Sequence, residues 1–154
     1  MSDLKTELKQ TKPFRSLGHE AALSIQRTAA ELEHAFDSAV KPHGITATQY
    51  NVLRILRGAG RTGLCRNEIG ARMVRRVPDV TRLLDRLEDM HLIVRERGGE
   101  DRRYVTTKVT APGLKLLGAL DPVVDGLHEA QLGRLGNPTL RVLIDLLGRI
   151  RDGA

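Results

Sequence analysis

Val77-Pro78-Asp79-Val80-Thr81-Arg82-Leu83-Leu84-Asp85-Arg86-Leu87-Glu88-Asp89-Met90 is followed by Leu92 to Arg97, the turn Gly98-Gly99-Glu100-Asp101, and Arg103 to Val109. In the first part Val80, Leu83, Leu84, Leu87 and Met90 recur at helical spacing and share one face. Asp79, Thr81, Arg82, Asp85, Arg86 and Asp89 fall on the opposite side. Pro78 suits a first helical turn and Asp79 the positive end of a helix dipole. The two segments flanking the Gly-Gly turn are rich in β-branched residues and read as a β-hairpin. A helix with a charged outer face therefore runs directly into a hairpin.

Upstream, Leu17, Ala21, Leu23, Ile25, Ala29, Leu32 and Phe36 predict one long amphipathic helix from Phe14 to about Val40, stopped by Pro42 and Gly44. Thr46-Ala47-Thr48-Gln49 has the spacing of a capping box, so a second helix is expected over Ala47 to Arg57. The glycines of Gly58 to Gly63 mark a turn, and Ile69 and Met73 support a short third helix from Arg66 to Met73. Downstream, Thr110-Ala111-Pro112-Gly113 opens a helix that Pro122 is expected to break or kink. Asn137-Pro138 is expected to cap and start the last helix, whose stripe is Leu140, Leu143, Ile144, Leu147 and Ile150.

The order is helix, helix, short helix, helix, hairpin, helix, helix. The fold class it predicts is mostly α with a small β-hairpin wing, a winged helix-turn-helix flanked by N- and C-terminal helices. An α-rich bundle with an incidental hairpin is the other arrangement the pattern admits. Residues 1–12 are expected to form a flexible tail and 13–154 a single domain.

At 154 residues the chain is about one domain long, and with aromatics at 3% its core must be aliphatic. Cys65 is the only cysteine, which excludes an intramolecular disulfide framework and a Cys-based zinc cluster. His19, His34, His43, His91 and His128 show no close metal-ligand spacing. No Ser/His/Asp order, phosphate-cradling Gly loop or dinucleotide fingerprint is present, so neither catalysis nor a cofactor is expected. No stretch is long and apolar enough for a membrane span, and Met1 to Lys12 is polar, unlike a secretory signal. A cytoplasmic protein is expected.

The net charge is +6. Between Arg61 and Lys108 lie 12 of the 25 Lys and Arg but only 8 of the 19 Asp and Glu. A basic middle segment in an otherwise balanced chain points to a polyanion such as nucleic acid, and Arg favours bidentate phosphate and guanine contacts. A solvated mixed-charge face is the plainer alternative.

Several local motifs resemble the MarR family of transcriptional regulators, over about Phe14 to Asp152. Gly44-Ile45-Thr46-Ala47-Thr48-Gln49-Tyr50 is similar to the start of the family's second helix, and Gly63-Leu64-Cys65-Arg66-Asn67-Glu68-Ile69 to the start of its third. The most specific part is Asp79 to Glu88, followed at the family's distance by Asp101-Arg102-Arg103 and Val109-Thr110. The resemblance implies a homodimer held by residues 13–42 and 112–152, a winged helix-turn-helix over 46–110 on each side, and a palindromic DNA site. The long apolar stripes of the terminal helices independently favour a symmetric dimer over packing within one chain. Two positions depart from the family pattern. Arg76-Val77-Pro78 stands where Ser or Thr is common ahead of the recognition helix, and Cys65 stands at a cap position where Ser or Thr is usual.

Base discrimination in the major groove comes from the N-terminal end of the inserted helix. Asp79, Thr81 and Arg82 are placed for it, with Arg82 toward a guanine and Thr81 toward a thymine methyl or a phosphate. Arg66, Arg75 and Arg76 are candidates for the DNA backbone, with Arg86 one turn further along. Ion pairs of Arg82 with Asp79 or Asp85, and of Arg86 with Asp85 or Asp89, are the competing arrangement. The resemblance gives Arg103 the role of a wing arginine in the minor groove, oriented by Asp101 and adjacent to Arg102. It also implies a small phenolic or aromatic-acid ligand, for which Arg15, His19 and Tyr50 are candidates by placement. Cys65, beside Arg66 at a helix start, is a candidate oxidant sensor or simply a cap.

The leading function is a dimeric, sequence-specific DNA-binding regulator, a repressor released by a small ligand. The alternatives are a sequence-tolerant architectural DNA binder and a redox-sensing regulator acting through Cys65.

Overall fold

A computed structural model describes residues 3–98 and 104–153. The chain divides into two compact units, Met1–Phe36 and Asp37–Ala154. The first contains α1 (Leu4–Glu7) and most of α2 (Leu17–Val40). α1 is a single turn, in the stretch expected to be a tail, held by the Asp3 carbonyl, which accepts from Thr6 and Glu7 N–H. α2 starts three residues later than Phe14 because Ser16 caps it. The Ser16 Oγ accepts from His19 N–H at 3.1 Å and its carbonyl from Glu20 N–H.

The second unit holds α3 (Ala47–Ala59), α4 (Arg66–Arg72), α5 (Val80–Asp89), the hairpin β1 (Ile93–Arg97) and β2 (Val105–Val109), α6 (Ala111–Leu132) and α7 (Gly136–Asp152). The capping box at α3 forms as its spacing predicted: Thr46 Oγ1 accepts from Gln49 N–H, and Gln49 Oε1 accepts from Thr46 N–H. α3 runs two residues past Arg57, so Gly58 lies inside its last turn. Its Val52, Leu53 and Leu56 are fully buried, and α3 packs on α4, β2 and α6. Ile69 of α4, Leu84 and Leu87 of α5, Ile93 of β1, and Leu117 and Leu120 of α6 are further large aliphatic side chains fully buried in this unit. Fully burying each such side chain contributes about 1.5–3 kcal/mol.

The strands pair antiparallel, from Ile93 with Val109 to Arg97 with Val105. Leu64 adds a bridge to Thr107, with both backbone hydrogen bonds made at 3.0 and 2.8 Å. This close approach explains Gly63, at φ +66°, where a Cβ would lie 2.6 Å from the Thr107 carbonyl oxygen. The hairpin thus has a third contributor that its own sequence did not announce.

Two expectations for the C-terminal half are corrected. α6 continues through Pro122 without a break, with Leu117 and Leu120 before it and Val124 after it all buried. α7 starts at Gly136, with Asn137 and Pro138 inside its first turn rather than Asn137 capping it.

Candidate nucleic-acid interface

α5 presents the two faces that its sequence predicted. Leu84 and Leu87 are buried, while Asp79, Thr81, Arg82, Asp85, Arg86 and Asp89 are exposed. The helix begins at Val80, one residue after Asp79, and the Asp79 carboxylate accepts from Arg82 N–H at 2.9 Å. Asp79 therefore supplies the cap that Arg76-Val77-Pro78 lacks, and Pro78 lies ahead of the helix instead of in its first turn.

Two of the acids that could have neutralised the α5 arginines, Asp79 and Asp85, are engaged elsewhere. Asp79 takes a backbone N–H, and Asp85 pairs with Arg95 of β1 at 2.7 Å. Among the described residues no side chain bonds or pairs with the guanidinium of Arg82 or Arg86. Both are exposed on one outer face of α5, with Arg75 and Arg76 exposed in the loop just before it. That loop is pinned by Val74 N–H, which donates to Asn51 Oδ1 of α3 at 3.0 Å.

The start of α4 is brought to the start of α5. Arg66 donates to Thr81 Oγ1 at 3.2 Å and to Asn67 Oδ1 at 3.5 Å, so these three polar side chains form one exposed group. An open recess of about 500 Å³ beside them is lined by Cys65, Leu84, Arg95, Tyr104 and Thr107. Cys65 is half-buried at the cap position of α4, and its N–H donates to the Glu68 carboxylate at 2.8 Å. This bond, followed by one with the Cys65 thiol, holds the Glu68 carboxyl below its usual range. The contact next to the thiol is thus an acid, and the Arg66 guanidinium is directed to Thr81.

Asp101, Arg102 and Arg103 lie outside the described residues. The strands that lead to them are described, and Lys108 pairs with Glu96 across them at 2.7 Å. Of the three candidates for a small ligand, Arg15 and His19 are neighbours in the first unit, where Arg15 N–H donates to His19 Nδ1 at 3.4 Å and the His19 ring meets Phe14 edge-on. Tyr50 belongs to the second unit and is buried in α3, which pushes its hydroxyl pKa up.

Two arginines that tie elements of this unit together escaped the sequence reading. Arg95 of β1 grips Glu88 and Asp85, and the only sequence signal was its alternation with buried Ile93 on one strand face. Arg57 of α3 makes a bidentate pair with Asp121 of α6, at 2.9 and 3.0 Å. No sequence spacing links residues so far apart. Among the described residues no helix is long and apolar enough to cross a membrane, and no cluster of His, Cys, Asp and Glu suits a metal.

A short helix, a helix with exposed arginines on its outer face and a two-stranded wing in that order define a winged helix-turn-helix DNA-binding protein. Residues 45–105 match the MarR family. The chain is 32% identical over 138 residues to the HTH-type transcriptional regulator FarR of Neisseria gonorrhoeae, covering 90% of this chain and 93% of that one. Its fold is similar to the crystal structure of a MarR transcription factor from Planctomyces limnophilus, at 39% identity and TM-score 0.68, covering 88% of this chain and 98% of the other. It is also similar to a mutant MarR of E. coli complexed with operator DNA, at 25% identity and TM-score 0.76, covering 97% and 99%. The chain belongs to the MarR family, and it is a DNA-binding transcriptional regulator rather than an enzyme.

Proposed function

We propose that the protein acts as a homodimeric repressor that binds a palindromic operator through α5 and is released by a small phenolic or aromatic-acid ligand. The observation that carries this reading is the exposure of Arg82 and Arg86 on α5, unpaired among the described residues, with Asp79 and Asp85 already engaged. Arg82, near the N-terminal end of α5, reads a guanine edge, Thr81 and Arg66 meet phosphate together, and Arg75 and Arg76 hold the backbone ahead of the helix. Asp79 serves as the cap that fixes where Arg82 points.

Dimer formation is supported by α7. None of its residues is buried, and Leu143, Ile144 and Ile150 of its apolar stripe are 37–65% exposed. A contiguous apolar helix face of this kind is an association surface, and closed two-fold dimers are the commonest solution. The ligand response follows the family resemblance. It acts by favouring a spacing of the two recognition helices that no longer fits DNA.

Selection of duplexes from a random pool tests the reading, followed by anisotropy titration of the winner and a scrambled control across salt. The expected result is an inverted repeat whose half-site centres lie about one helical turn apart, with preference surviving high salt. Binding that tracks salt alone, with no selected motif, identifies a sequence-tolerant architectural protein instead. Phenols and aromatic carboxylates titrated into the selected complex should include a compound that releases the duplex. A series without effect removes the ligand claim.

A further inference from the structure

Arg95 is the meeting point of the wing and α5. Its Nε donates to Glu88 Oε2 at 2.7 Å, and a terminal nitrogen meets that same oxygen and Asp85 Oδ1, the latter at 2.7 Å. Its backbone N–H adds a bond to Glu88 Oε1 at 3.2 Å. The side chain is 26% exposed, against 52% for Asp85 and 35% for Glu88, so the cation is the more enclosed partner. Arg95 also shares its strand face with Ile93, which is 2% exposed.

The charges of α5 give this contact its meaning. From its cap to its end the helix carries Asp79, Asp85, Glu88 and Asp89 against only Arg82 and Arg86. A helix that is acidic by its own sequence is repelled by the phosphates flanking a groove, whatever its arginines can reach. Arg95 comes from a different element and pairs with two of those four acids. With Arg95 counted, three arginines stand against the four acids, and the negative excess of the helix is halved while Arg82 and Arg86 stay available to DNA.

We propose that Arg95 is a positioning residue for DNA binding, which makes α5 more compatible with the duplex by offsetting part of the charge of Asp85 and Glu88. The inference rests on the reading of α5 as the DNA-contacting helix. It adds that the helix's usable charge is set from the wing, by a residue that need not touch a base.

The test uses the full chain and its selected duplex, titrated by anisotropy across salt, with thermal melting of each variant. Arg95→Met should weaken binding about tenfold, because the charge beside the DNA becomes one unit more negative and both carboxylates lose their cation. The triple variant Arg95→Met/Asp85→Asn/Glu88→Gln should regain most of that loss. A role confined to holding the wing predicts no such recovery, so a loss that the triple variant fails to restore overturns the proposal, as does unchanged binding by Arg95→Met. Should Arg95→Met fail to fold, Asp85→Asn decides the matter. It leaves Arg95 held by Glu88 and removes one negative charge, so binding should tighten several-fold and weaken more steeply with salt, whereas weakened binding contradicts the proposal. Arg82→Ala is titrated in parallel. If it too leaves affinity unchanged, the reading of α5 as the contact helix has failed. If it loses affinity while Arg95→Met does not, only the inference about Arg95 has failed.

Discussion

α3 and α7 carry the same kind of signal in sequence, an apolar stripe at helical spacing, and end in opposite environments. α3 buries Tyr50, Val52, Leu53, Ile55 and Leu56 and packs on α4, β2 and α6. α7 buries nothing, although Leu140, Leu143, Ile144, Leu147 and Ile150 are as regular a stripe. Periodicity therefore establishes that a segment is an amphipathic helix, while the surroundings decide whether its partner lies in the same chain. For α3 the partner is the winged domain itself. For α7 we assign it to a second copy.

Truncation separates the two helices most sharply. Leu53→Ala should cost about 2–5 kcal/mol in urea unfolding, because it opens a cavity in a close-packed core. Ile144→Ala, on the exposed face of α7, should stay within about 0.5 kcal/mol when unfolding is measured on the dissociated chain. Equal losses at both sites would mean that α7 is packed within its own chain.

Charge on α7 sharpens the same contrast. Ile144→Glu should yield a folded monomer by light scattering, with dimerisation weakened by about 3 kcal/mol for an unpaired carboxylate buried at an interface. A dimer that persists with Glu at this position removes α7 from the interface. Arg82→Ala leaves both helices alone. It should cost about 1–3 kcal/mol on the selected duplex and relax base preference, with no change in melting temperature or dimer mass. Equal loss on every duplex would end the case for base readout by Arg82.

A smaller effect distinguishes α3 through its contact with α6. The Arg57 guanidinium holds the Asp121 carboxyl below its usual value, so the pair's contribution is complete above the ordinary carboxylate range and is lost as pH falls through the lowered folded-state pKa. Asp121→Asn should therefore destabilise slightly at neutral pH and flatten the acid limb of stability against pH. An unchanged acid limb would show that the exposed pair contributes nothing measurable.

What the sequence made legible is local. The α5 stripe, the Thr46–Gln49 capping box and the hairpin each rest on residues a few positions apart, and each has the predicted form. Expectations slipped where tertiary packing overrode a local rule. Pro122 sits in an unbroken helix, with buried leucines on one side of it and buried Val124 on the other. Leu64 joins the wing because Gly63 lets the chain approach Thr107 closely. Within the candidate site, the exposure of Arg82 and Arg86 could be anticipated from the helix face, but their freedom from ion pairs among the described residues could not. It depends on Arg95, which reaches Asp85 from another element.

The central claim is a symmetric dimer that places two copies of α5 on one duplex. It is tested most directly by sedimentation equilibrium of the protein with its selected duplex and with a duplex in which one half-site is scrambled. The account predicts two protomers on the intact duplex and a marked loss of affinity when either half-site is destroyed. One protomer per duplex, or indifference to the scrambled half, would contradict it.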